Sequence, residues 1–167
     1  AWQQSIRGGL YSCGYLIDLG ENGHIDCSVD HSPDICSTAD NGFLLVNNVH
    51  VKQDNRDIAV FKLNAQGRIV WTQHYGGKET YEWGTTAHET ADGEFLIIGI
   101  QCTFLKKKGI ELHYCLVKTD KAGNELSYTV LKDPCFDISP KIVSLGAGSF
   151  FIIAGTGTGF QVLKVKV

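Results

Sequence analysis

The 167 residues carry a formal net charge of −3, from 15 Lys and Arg against 18 Asp and Glu, so no electrostatic excess draws the chain to nucleic acid or an anionic membrane. The length suits one domain with a sizeable core, and no window approaches the ~20 apolar residues of a spanning helix. Nineteen glycines against three prolines suit many short strands joined by turns.

In chain order, AWQQSIRGG (1–9) resembles VWTQHYGG (70–77), which follows a Gly turn, so the N-terminal stretch reads as a last strand without the three before it. Leu10 to Val29 supply the third and fourth strands of a copy. Then come DNGFLLVNN, DIAVFKLN and AQGRIVWTQHYGG, and the same order returns as ADGEFLIIGIQ, CLVKT and KAGNELSY. A third copy, GAGSFFIIAG and FQVLKVKV, stops before its fourth strand. Aligning the runs that start at Phe43, Phe95 and Phe151 spaces them 52 and 56 residues apart. In the following strand Ile17, Phe61, Val117 and Leu163 are the expected core positions, each before a polar residue. Turns at Gly23, Gly67 and Gly123 follow, where a residue without Cβ takes positive φ at little cost.

Several short strands per copy at such periods predict an all-β, β-propeller-like fold of about three and a half four-stranded units. No stretch shows the i, i+3, i+4, i+7 spacing of a helix. The expected organisation is a single domain over 1–167: a partial unit at 1–30, repeats at 33–77, 78–133 and 134–167, and segment 1–7 placed to close the last. Rings of this kind usually have at least four blades, so the mismatched ends predict completion by self-association, a homo-oligomer, or else a piece of a larger propeller.

The sequence has no methionine and starts at Ala1 without a charged or apolar leader, which reads as a mature or excised form. Six cysteines, Cys13, Cys27, Cys36, Cys102, Cys115 and Cys135, lean toward an oxidising, extracellular compartment. None forms the tight C-x-x-C pair of a zinc site. Cys102 and Cys115 bracket one expected hairpin and Cys13 and Cys27 flank the Gly23 turn, so these are the two expected disulfides. Cys36 and Cys135 are left as a third pair, and buried thiols are the alternative.

Catalytic signatures are sparse. His24, His31, His50, His74, His88 and His113 show no H-x-H or H-x-x-x-H spacing, and G-x-S-x-G and H-E-x-x-H are missing. Gly155-Thr156-Gly157-Thr158-Gly159 reads as a hairpin loop, since no helix follows to bind a phosphate. Asp54 to Asp57 lack the alternation and closing glutamate of a calcium loop and read as a polar tip. Lys106 to Lys108 read as a solvated loop tip. No cofactor, metal or catalytic residue is expected.

Binding through aromatic groups is better supported. Trp2 and Trp71 occupy matching strand positions and read as packing between units. Trp83 differs, lying in Glu79-Thr80-Tyr81-Glu82-Trp83 between two repeats. Aromatic faces stack on sugar C–H faces while carboxylates bond sugar hydroxyls, so Trp83, Tyr81, Glu82 and Glu79 form the candidate carbohydrate site. The alternative is an aromatic plug between units.

The phrases DGEFLIIGIQ, LVKTDKAGNE and IVWTQHYGG resemble the blade repeats of secreted and cell-surface bacterial-type β-propellers, over about Pro33 to Val167. The resemblance implies an architecture shared by lectins, adhesins and enzyme scaffolds, so it carries no single function. The expectation is a secreted, disulfide-stabilised, non-enzymatic binding protein, a multivalent lectin for carbohydrate or glycoprotein. A protein-interaction or toxin-like scaffold without sugar specificity is the alternative, and a hydrolase on the same scaffold the third.

Overall fold

The computed structural model describes residues 34–166 apart from 53–54, 79, 106–108, 136–139, 147 and 157–158. The partial unit at 1–30, the closing segment 1–7 and the Cys13–Cys27 pair lie outside the described residues, as does Glu79.

Among the described residues eleven strands and no helix follow one another. They are β1 (Asp34–Ser37), β2 (Phe43–Lys52), β3 (Asn55–Leu63), β4 (Ile69–Tyr75), β5 (Tyr81–Glu89), β6 (Phe95–Leu105), β7 (Gly109–Thr119), β8 (Glu125–Pro134), β9 (Lys141–Gly146), β10 (Ser149–Thr156) and β11 (Gly159–Lys166). They pair antiparallel as β1-β2-β3-β4, β5-β6-β7-β8 and β9-β10-β11. A parallel bridge between Arg56 and Tyr81 joins the first two meanders into one eight-stranded sheet, and the third forms its own.

The hairpins share one turn chemistry. Gly67, Gly93 and Gly123 have φ of 74°, 78° and 82°, and in each turn the glycine N–H bonds back three residues. This is the loop in which a left-handed residue follows a type I turn and restores strand pairing. Asn64 Oδ1 and Asp120 Oδ1 each accept two backbone N–H groups within the turn, fixing its start. Asn41, at φ 62°, takes the left-handed place in the β1–β2 turn. The expected turns at Gly67 and Gly123 are therefore present, and β10 and β11 pair as far as Thr156 and Gly159.

The meanders stack by their faces. Leu44, Val46, Ile58, Val60 and Tyr75 of the first pack with Ala87, Phe95, Ile97, Cys115 and Val117 of the second. The opposite face of the second meander, Leu96, Ile98, Ile100, Tyr114 and Leu116, packs with Phe150, Ile152 and Ala154 of the third. A middle layer buried on both sides needs apolar residues at both parities, which is why β6 opens with the uninterrupted run Phe95 to Ile98. Among the described residues the sheets do not close into a ring.

The first two meanders meet most tightly at two glycines that pair across β5 and β6, Gly84 and Gly99. A Cβ on Gly84 would lie 2.5 Å from Val46 Cγ1 and 2.7 Å from Ile58 Cγ2. The register slips between Gly84 and Thr86, a bulge, and the Gly84 N–H donates to Asn48 Oδ1 at 2.8 Å in the buried interface. The sequence thus joins the layers by both close approach and a buried hydrogen bond.

Two expectations are corrected. In the third meander Leu163 pairs with Ile152, as Val117 pairs with Ile97 and Phe61 with Leu45, so Phe150 and not Phe151 matches Phe43 and Phe95. Phe150 is buried in the second core, whereas Phe151 points to the other face. Among the described residues the expected disulfides are also absent: Cys36, Cys102, Cys115 and Cys135 are all thiols. Cys102 pairs with Leu112, three residues from Cys115, and an odd offset on a strand puts the two on opposite sheet faces. Cys36 packs on the first core and Cys135 on the second, so they do not meet either. Burial pushes the Cys115 thiol up to about 12, so it stays protonated and inert at neutral pH.

Lys62, buried in β3, reaches Asp40 Oδ2 at 2.8 Å and the Leu63 carbonyl at 3.0 Å. The hydrogen bond from Lys62, then that from Thr38, holds the Asp40 carboxyl down at about 2. A depressed acid adds stability above its unfolded pKa, here 3.8, and that stability is lost as pH falls through 2. Asp40→Asn should therefore flatten acid unfolding between those values and cost about 1–2 kcal/mol near neutrality, because Lys62 loses its charged acceptor. Urea melts of both proteins across that range check this; identical acid limbs would refute it.

Candidate functional site

The expected aromatic-carboxylate stretch is the first half of β5, and strand alternation divides it. Tyr81 lies opposite Cys102 and Trp83 opposite Ile100, on the face turned to the third meander; Glu82 lies opposite Gln101 on the face turned to the first. The structure therefore brings Tyr81 and Trp83 together and separates them from Glu82.

Glu82 is fully buried. Its Oε1 accepts from the Thr80 hydroxyl, the Gly77 N–H at 3.3 Å, Gln101 Nε2 at 3.2 Å and the Tyr128 hydroxyl at 3.3 Å. Burial pushes its pKa up, the Thr80 and Gln101 hydrogen bonds oppose the shift, and the neighbouring Asp57 adds to it. A side chain so enclosed cannot bond a sugar at the surface. Trp83 is half-buried and packs against the second core, its indole Nε1 enclosed without an acceptor.

Tyr81 is different. Its ring meets Phe104 edge to face, with centroids 5.1 Å apart and planes at 74°. Phe104 is 55% exposed, and Ile110, its partner across the β6–β7 hairpin, is 60% exposed. The start of β5 and the end of that hairpin thus present a contiguous aromatic and aliphatic edge. Beside it lies an open cleft of about 420 Å³ lined by Ile110, Glu111, Leu112, His113 and Cys135. Within the cleft His113 Nδ1 meets the Leu131 carbonyl at 3.1 Å, and Nε2 lies 3.8 Å from Glu111 Oε2. Strand alternation sets Glu111 and His113 on the sheet face opposite Phe104 and Ile110, so the cleft and the aromatic edge meet only at Ile110 near the hairpin end. Sequence reasoning missed Phe104, although an aromatic just before Lys106 to Lys108 at a hairpin end was a usable signal.

Among the described residues no three His, Cys, Asp or Glu side chains gather as a metal centre. Comparison with protein-family models and with curated proteins gives no match. Fold and site together define an all-β protein of face-stacked antiparallel meanders with an exposed aromatic edge on the second.

Proposed function

We propose that this is a non-enzymatic binding protein, a multivalent lectin on a β-propeller-like scaffold completed by self-association, with carbohydrate or glycoprotein as its partner. The observation that carries the reading is the Tyr81–Phe104 pair, an edge-to-face aromatic unit near the end of the β6–β7 hairpin in which Phe104 is exposed next to Ile110. Self-association draws support from the third meander. The outward face of that meander exposes Val143, Val162 and Phe160, the last at 74%, and β11 has no fourth strand beside it among the described residues. Repeated modest sites gain affinity when several are presented together. An extracellular setting belongs to the same reading but takes no support from the four described thiols.

A glycan array probed with the wild-type chain, Phe104→Ala and Trp83→Ala tests it. Binding inhibited by free sugar, reduced at least about tenfold in Phe104→Ala and kept by folded Trp83→Ala, is the expected pattern, since one aromatic stacking contact contributes about 1 kcal/mol or more. Partner capture that survives saturating free sugars would instead favour a protein-interaction scaffold on the exposed third meander.

A further inference from the structure

Beyond the aromatic edge, two acidic side chains that the sugar-binding reading does not use meet inside the fold. Asp57 follows Arg56, and Glu82 follows Tyr81, the two residues that pair where β3 and β5 run parallel. Asp57 and Glu82 are therefore neighbours on one sheet face, an arrangement that is repulsive for two like charges. The Gly76–Gly77 turn lies over them. A Cβ on Gly76 would be 2.5 Å from Asp57 Oδ1 and 2.9 Å from Glu82 Oε2, which places those oxygens at most 5.4 Å apart.

Both oxygens are buried and accept no hydrogen bond, in contrast to the four donors on Glu82 Oε1. A third orphan acceptor lies on the same strand as Asp57. Asn55, 8% exposed and two residues before Asp57 on the same strand face, has an Oδ1 without a donor. Its Nδ2 donates to the Gly77 carbonyl at 3.1 Å, which holds the amide against the turn that covers the carboxylates.

We propose that Asp57 Oδ1, Glu82 Oε2 and Asn55 Oδ1 bind a hard divalent cation, calcium by ligand type, that ties the first meander to the start of the second. Calcium takes carboxylate and amide oxygens in flexible geometry and completes its shell with water, whereas magnesium demands a near-ideal octahedron. A proton shared between the carboxyls would satisfy two of the three oxygens and leave Asn55 Oδ1 orphaned; a cation satisfies all three. Asp57 is only half-buried, which leaves a route from solvent.

The test is thermal unfolding of chelator-treated protein with and without added calcium, at about pH 7.5 and about pH 4.5, in wild type, Asp57→Asn and Glu82→Gln. The titratable groups facing the pair are His74 on β4, Cys115 on β7 and Tyr128 on β8, with Cys102 of β6 within electrostatic reach from the other sheet face. Burial raises both carboxyl pKa values, so without cation their contribution is full below the ordinary carboxylate range and is lost as pH rises through the raised values. Calcium at about a hundred times its Kd should raise the wild-type Tm by roughly 5–10 °C at the higher pH and much less at the lower. Both substitutions should abolish that shift. Glu82→Gln keeps an acceptor for the four donors, so it carries the comparison if Asp57→Asn folds poorly. Three results would overturn the proposal: no calcium-dependent shift in wild type, a shift that persists in the variants, or a Tm that falls with rising pH, ignores calcium and is levelled by Glu82→Gln. The last assigns a shared proton instead.

Discussion

Phe150→Ala is expected to destabilise the protein by about 3–5 kcal/mol, while Phe151→Ala one residue away should cost about 1 kcal/mol or less. Phe150 is buried in the second core with Ile152 and Ala154 and meets the His88 ring edge to face at 5.6 Å. Its removal leaves a cavity between the second and third meanders and removes a ring contact. Phe151 faces outward beside Val143 and Lys164, so truncating it opens no cavity between layers. Paired denaturant melts read the contrast directly, and the Tm of Phe150→Ala should fall by about 6–20 °C. Equal effects would mean that β10 is registered one residue away from the position described, because one step along a strand exchanges its faces.

Gly84→Val should cost on the order of 3 kcal/mol, or about 6–12 °C in Tm, by overpacking rather than by lost contacts. The added carbon would meet Val46, Ile58 and the Asn47 carbonyl at 3.0 Å, and that carbonyl belongs to backbone that cannot swing aside. The strand must then retreat, stretching the buried bond from Gly84 N–H to Asn48. If Gly84→Val melts with the wild type, the first two meanders do not approach as closely as described. Asn48→Ala in the same background separates the causes, since an energy that fails to add shows that the bond was already lost.

Much of the architecture was legible because it is local. The turns at Gly67 and Gly123 follow from residue chemistry over five positions, and strand order follows from the repeated spacing of apolar runs. The third unit's register was not legible, because Phe150, Phe151, Ile152 and Ile153 are apolar at both parities and alternation then points to neither face. The Cys102–Cys115 bridge was misread for a related reason: two residues that bracket a hairpin share a face only if their pairing offset is even, and cross-strand register depends on the whole hairpin. Tyr81, Glu82 and Trp83 alternate correctly for a strand, yet between two repeats they read as a connection, so Glu82 was grouped with the rings. The neighbourhood of Asp57 and Glu82 rests on one parallel bridge between residues 25 apart, Arg56 and Tyr81. Nothing local in the sequence announces it.

The most direct test of the account is binding to immobilised glycan at high and low surface density, measured for the wild-type chain and Phe104→Ala. A multivalent lectin predicts apparent affinity about 10²–10⁴ higher on the dense surface than for the same sugar free in solution, and loss of binding to both surfaces in Phe104→Ala. Binding that ignores density, or that Phe104→Ala leaves intact, would contradict it.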